Sequence, residues 1–425
     1  VTQTYFGRQL KGLTIALSLL LVSGCQISVE IDPSEKSELS QMHERLLVMD
    51  SHLDTPAVLI RRNFNILNRH DPLLDYSQVD YPRMVEGGLD GGYWVIFSRQ
   101  GPVTIEGFQV SRDIAILRAL AIHKMVAANP DKFTLATKAA DAEAIHAAGK
   151  RIVYISIENA YPLGEDISMA KTFYDLGVRM IGPVHFANNQ FADSSTDRDG
   201  PEWNGLSPLG IELINEANRL GMIVDASHAS DEATRQMIEL SKTPIVLSHS
   251  GANEVFGHPR NVPDDILLKL RETGGVIQMN AFSSYLTVLP AAPERLKAYR
   301  ALNLEIRAVK DPTPEQQAMF MDKRRVIDTQ FPKPLATFDQ YMDHFIYTLN
   351  LIGPDHVGVS GDFDGGGGVA DMNDITGFPA ITERLLTEGY TEEDIAKIWG
   401  GNLVRLLAEA EAYAANPEIE TASSN

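Results

Sequence analysis

Cysteine is almost missing from this chain. Cys25 is the only one in 425 residues, which excludes an intramolecular disulfide and leaves the folded part without a thiolate for catalysis or for zinc. Basic residues are also scarce, 37 Lys and Arg against 57 Asp and Glu. The formal charge of -20 repels phosphate backbones, so nucleic acid is not expected as a partner. The apolar run "LTIALSLLLV" near the start falls short of the ~20 residues that a membrane-spanning helix needs. No G-x-G-x-x-G turn follows the first strand-like run, which removes the main signal for a dinucleotide site. The remaining composition, 44% hydrophobic and 22% charged, is that of an ordinary globular protein with a sizeable core.

What is present begins with a targeting pattern. Arg8 and Lys11 precede the apolar run, and "SGC" follows it, the layout of a secretory signal over residues 1–25. "VSGC" resembles the bacterial lipobox, which implies lipidation of Cys25 and export to the cell envelope. Gln26 after the cysteine, by resemblance to Gram-negative lipoproteins, points to the outer membrane. Residues 26–41, polar and bearing Pro and Ser, read as a tether. The folded domain is expected over 42–410, and 411–425 as a flexible tail.

Within that domain eight apolar, β-branched runs have strand length: "LLVMDSHLD", "GGYWVIFS", "RIVYISIEN", "VRMIGPVH", "MIVDASH", "PIVLSHS", "GGVIQMNA" and "HVGVSGDFD". Stretches of helical periodicity separate them. Strands alternating with helices pair in parallel, and eight such units close a (β/α)8 TIM-like barrel, an α/β fold. An open two-layer sheet is the alternative. The segment 283–345 is too long for one crossover and predicts extra helices before the last strand, as a lid or a subunit contact.

Polar residues interrupt these runs at one end. His52 and Asp54 close the first, Glu158 the third, His185 the fourth, His228 the fifth, His249 the sixth and Asp362 the eighth. In a parallel barrel those ends share one face, where barrel enzymes keep their active sites. Singly each has an ordinary explanation: a loop-capping Asp54, a Glu158 paired to an arginine, a His228 or His249 satisfied in the core. Jointly they point to a metal site, since independent core histidines would fall at either end of a strand. Imidazole and carboxylate without thiolate suit Zn²⁺, and also Mn²⁺, Fe²⁺ or Co²⁺. Two ions sharing one carboxylate use such a set well, and Glu158 has two oxygens to share.

The stretches "DSHLDTP", "ISIENAYPLG", "VHFANNQFADS", "WNGLSPLG", "GMIVDASHAS", "VLSHSGA", "HPRNVPDD", "HVGVSGDFDG" and "GGNLVRLL" together resemble the membrane (renal) dipeptidase family of binuclear amidohydrolases, from about residue 42 to 410. The resemblance implies two zinc ions per chain, one on His52 and Asp54, the other on His228 and His249, with Glu158 bridging. It implies that His185 stabilises the oxyanion, that Arg260 meets the substrate carboxylate and that Asp362 acts as acid and base. Dipeptides with an L first residue and an L or D second residue are the implied substrates, and a homodimer the implied assembly. The sequence departs from the family at Leu53, where Asn is usual, and at "GGGG" over 365–368, which would loosen the loop after the last strand. Hydrolysis of N-acyl amino acids, lactones or β-lactams is a second enzymatic reading. A peptide-binding lipoprotein without catalysis is the third.

Overall fold

Each of the eight runs contains a strand, because a continuous apolar, β-branched segment is stable only where both faces of the sheet are covered. The computed structural model describes residues 38–416 apart from 62, 72–74 and 311, so the signal, Cys25, most of the tether and the chain beyond 416 lie outside the described residues. The strands are β1 (Met49–Leu53), β2 (Gly91–Phe97), β3 (Arg151–Glu158), β4 (Val178–Ile181), β5 (Ile223–Val224), β6 (Val246–Ala252), β7 (Val276–Asn280) and β8 (Val357–Ser360). All pair in parallel, β1 through β5 in one ladder and β6 through β8 in another. Single bridges span the two seams: Asp225 with Val246 between β5 and β6, and Leu53 with Phe363 between β8 and β1. The strands therefore form a ring in sequence order, a (β/α)8 barrel. Two short strands, Phe133–Leu135 and Asn261–Val262, lie outside this ring beside β3 and β6.

Helices return the chain between strands, and their starts are written locally. Thr104, Ser207 and Ser230 each accept a backbone N–H in the first turn of the helices Ile105–Ala128, Pro208–Leu220 and Asp231–Leu240. Thr337 and Gln340 form a reciprocal cap for Phe338–Ile352. The expected extra helices are Pro293–Arg307 and Pro314–Gln330, packed on one another. They sit beside the barrel mouth: Asp328 accepts from the hydroxyls of Tyr76 at 3.0 Å and Tyr299 at 2.6 Å, and Lys333 donates to the Gly366 carbonyl at 2.8 Å.

The floor of the barrel is apolar. Leu403, Leu406 and Leu407 of the helix Asn402–Ala415 pack against residues at the amino ends of the strands, among them Met49, Ile152, Met180, Ile223, Val246 and Val276. Each buried leucine contributes about 1.5–3 kcal/mol. The helix runs past residue 410, where the sequence suggested a tail, and Glu411 accepts from the Ala139 N–H at 3.1 Å.

Several strands stop short of their apolar runs. β4 ends at Ile181, β5 at Val224 and β8 at Ser360, so His185, His228 and Asp362 stand in loops and not at strand ends. The cause at β5 is Asp225, whose Oδ1 accepts the Ser227 N–H at 3.0 Å and the Ser248 N–H at 2.9 Å and so replaces ladder bonds by side-chain bonds. At the other end of the ladder, Gly92 stands in register with Asp50 of β1 and Val153 of β3, and a Cβ there would fall on the Asp50 carbonyl oxygen. Gly92→Ala is accordingly expected to destabilise the fold by about 3 kcal/mol, read as a lower urea midpoint. An unchanged midpoint would mean that β1 and β2 can part without cost.

Candidate metal centre

His52 ends in the mouth of the barrel with Asp54 one residue past the strand, and their Nε2 and Oδ2 atoms lie 3.4 Å apart, so the alternate spacing does aim both groups at one point. Glu158 closes β3 between two groups of ligands. Its Oε1 is 3.0 Å from His228 Nε2, 3.3 Å from His249 Nε2 and 3.7 Å from His185 Nε2, while its Oε2 is 3.7 Å from His52 Nε2. The Nε2 atoms of His228 and His249 are 2.8 Å apart. Asp362 gathers with His52 and Asp54, and its Oδ2 accepts from Asn280 Nδ2 at 3.0 Å. His228 and Asp362 reach these positions through left-handed backbone, φ 71° and 51°, conformations uncommon for residues with a Cβ and typical of functional loops.

Apart from His185, which is partly exposed, these side chains are buried. Burial pushes the Glu158 carboxyl up to about 8 and that of Asp362 up to about 6, and it drives the His228 and His249 imidazoles well below their ordinary range. His185 falls to about 3 through burial and the charge of Arg260. At His52 burial is outweighed by Glu158, Asp54 and Asp362, which hold it up to about 10. Desolvated carboxylates and imidazoles that gather in three overlapping groups joined through Glu158 and His52, the ligand atoms of each group within 4.8 Å of one another, are a donor set for divalent cations, which favour the ionised carboxylates and the unprotonated nitrogens together.

Arg260 joins this cluster from the loop after β6. It is buried, its Nη2 donates to the His249 carbonyl at 2.8 Å, and its guanidinium carbon stands 5.6 Å from the Tyr285 ring centre. It takes no part in a surface ion pair with Asp265, which binds Arg235 at 2.8 Å instead. The pocket above the cluster has a volume of about 740 Å³, room for a small peptide and not for a folded chain.

The pattern of membrane dipeptidase, peptidase family M19, matches residues 36–420. This chain belongs to the membrane dipeptidase family. It is 29% identical over 393 residues to the dipeptidase aclJ of Aspergillus oryzae, covering 89% of this chain and 82% of that one. Among solved structures, the probable dipeptidase PvdM from Pseudomonas aeruginosa superposes with a TM-score of 0.74 at 30% identity over 88% of this chain and 98% of its own. A Rhodobacter sphaeroides metallopeptidase liganded with a phosphinate mimic of L-Ala-D-Ala does so with 0.68 at 25% identity, over 85% and 99%.

Sequence reasoning passed over several residues around this cluster. Asn280 closes "VIQMN" in β7, the one late strand given no polar end, and the rule used for the other strands would have found it. Tyr285 and Arg118 line the pocket from a short helical turn and from the middle of a long helix, where periodicity carries no such signal. The four glycines 365–368 do not loosen their loop. The N–H groups of Gly365 and Gly367 bond the Asp362 carbonyl and that of Gly368 the Ala281 carbonyl, and a Cβ on Gly365 would fall on the Asp54 and Asp362 carboxylates.

A buried relay fixes the orientation of His249. The Ser248 hydroxyl donates to Asp225 Oδ2 at 2.6 Å and lies 2.8 Å from His249 Nδ1, so it accepts the Nδ1 proton and leaves the Nε2 lone pair facing Glu158. Ser248→Ala is expected to weaken metal affinity by about 10- to 100-fold, measured by competition with a chromogenic chelator. Undiminished affinity would show that packing alone orients the ring.

Proposed function

We propose that this protein is a two-zinc dipeptidase, exported and lipidated at Cys25, that acts at the periplasmic side of the outer membrane. The observation that carries the catalytic part is the position of Glu158, one oxygen toward His228 and His249 and the other toward His52, the disposition that a bridging carboxylate needs. His52 and Asp54 would hold one ion and His228 and His249 the other. Zinc bound there supplies an acidified water as nucleophile and polarises the peptide carbonyl.

The chain's own groups do the rest. Arg260, already anchored on the His249 carbonyl, turns its remaining N–H groups to the free carboxylate of the substrate, a planar fork matched to two oxygens. His185 donates its ring N–H to the oxygen on which charge develops. Asp362, held by Asn280, takes a proton from the attacking water and delivers it to the departing amine. An anchor for a free C-terminus so near the cleaved bond favours dipeptides over long chains.

The export part rests on "VSGC" and the polar tether that follows it. A homodimer is part of the reading, supported by the exposed Leu304 and Val326 on the helix pair at 293–330.

Protein lacking residues 1–25 should bind about two zinc ions per chain by atomic emission and hydrolyse dipeptides. Asp362→Asn should keep the metal and lose turnover by about 10²- to 10⁴-fold. Two ions without turnover of any dipeptide would redirect the search to lactones and N-acyl amino acids, and failure to bind zinc would end the catalytic reading. In cells, Cys25→Ser should abolish labelling by a palmitate analogue and move the protein from the membrane to the soluble fraction; labelling that persists would exclude the lipobox.

A further inference from the structure

The pocket has a second cationic wall that the mechanism above leaves unused. Helix Ile105–Ala128, which follows β2, carries Arg118 into the pocket, where its guanidinium carbon lies 5.7 Å from the ring centre of Phe97, the last residue of β2. Its Nε and Nη1 atoms are buried without a hydrogen-bond partner among the described residues. Arg99, two residues beyond β2, lines the same side and is exposed. Neither arginine has an ion-pair partner among the described residues. The carboxylates that support the charge of Arg118 are Asp54 and Glu158, which are metal ligands in the reading above. Once those two are committed to cations, Arg118 is a half-buried cation with no anion of its own, an arrangement that favours an anionic ligand.

Topology says which part of a substrate reaches that wall. In a ring of eight strands in sequence order, β2 stands opposite β6, and Arg260 belongs to the loop after β6. A dipeptide whose terminal carboxylate lies at Arg260 and whose peptide bond lies over Glu158 directs its first residue across the ring, toward Phe97, Arg99 and Arg118. The flat face of Phe97 suits a methylene stem and the guanidinium its charged end.

We propose that Arg118, with Arg99 at the rim, binds a side-chain carboxylate on the first residue of the substrate, so that the preferred substrates are dipeptides beginning with Glu or Asp. This inference rests on the dipeptidase reading and on Arg260 as the anchor of the terminal carboxylate. In a chain of net charge -20, attraction for an acidic peptide has to be local, and two unpaired arginines in one wall provide it.

The test compares kcat/KM for Glu-Ala, Ala-Ala and Lys-Ala on the zinc-loaded protein, with Arg118→Gln, Arg118→Lys and Arg99→Ala beside the parent. The parent should prefer Glu-Ala to Ala-Ala by about tenfold or more, with Lys-Ala poorest. Arg118→Gln should lower the Glu-Ala to Ala-Ala ratio by about 10- to 100-fold, mainly through KM. Arg118→Lys should restore part of the ratio, and Arg99→Ala, at an exposed position that does not endanger folding, should lower it less. A parent that cleaves Ala-Ala as well as Glu-Ala overturns the proposal and leaves the dipeptidase reading standing. Equal losses on all three peptides in Arg118→Gln, with zinc retained, also overturn it and make Arg118 structural or a second holder of the terminal carboxylate. A parent holding two ions that cleaves none of the three overturns the proposal, and the dipeptidase reading falls with it only if no other dipeptide is turned over.

Discussion

A carboxylate shut away from water among imidazoles is the constraint to which this barrel answers. Leaving an ionised Glu158 in such surroundings costs several kcal/mol unless cations or hydrogen bonds meet it, and imidazoles that must offer lone pairs cannot supply those bonds. The surrounding shell therefore has to hold the geometry without consuming the ligand atoms. Aspartates outside the cluster do this. Asp50 accepts the His52 N–H and the Gly361 N–H, both at 2.9 Å, tying the end of β1 to the loop after β8. Asp225 clips the ends of β5 and β6 together, and Asp193 accepts three N–H groups of the loop at Glu202, Trp203 and Gly205. At Asp50 and Asp225 a side chain takes over where the strand ladder stops, so the backbone is free to turn, and at Asp193 it holds the loop after β4 in place.

That division runs along the barrel axis. At the amino ends of the strands the contacts are those of Leu403, Leu406 and Leu407 with apolar strand residues, and this layer supplies cohesion that does not depend on a metal. At the carboxyl ends the residues are polar, conformationally strained at His228 and Asp362, and short of partners. Stability is thus supplied below the site, and the strain at the mouth can persist because the layer beneath it is over-determined.

The same division decides what could be read from the sequence. All eight runs contain barrel strands, because burial on both faces writes an apolar, β-branched signal into contiguous residues. His52, Asp54, Glu158, His228, His249 and Asp362 were legible as interruptions of those runs, and the structure brings them together. Strand ends were not: the register of polar residues with a strand end depends on when a neighbour's side chain replaces the ladder, as Asp225 does, and that is a contact across the fold. The glycine run at 365–368 was misread for a related reason. Composition suggests freedom, whereas here the missing Cβ allows the loop to press against Asp54 and Asp362. Arg118 could not be found at all, since a guanidinium in mid-helix looks like solvated surface until the pocket shows where it points.

Arg118 lines the pocket and Arg260 is buried beside His249, and as the two proposed anchors they give a bound dipeptide its direction. Arg260 is buried against the main chain of His249, so in the proposed reading a carboxylate held there would mark the end of the peptide. On the opposite side of the ring the long helix after β2 closes the space, with Arg118 Nε and Nη1 already shielded from solvent. Repulsion from the acidic surface as a whole is screened beyond about 8 Å at physiological ionic strength. Inside the mouth the two guanidiniums act at contact distance and in lower dielectric, where each is worth more than the surface charge that opposes it. An anionic peptide is therefore disfavoured on approach and favoured once it lies across the cluster, so discrimination by side-chain charge is expected in the bound complex and in KM more than in the rate of encounter.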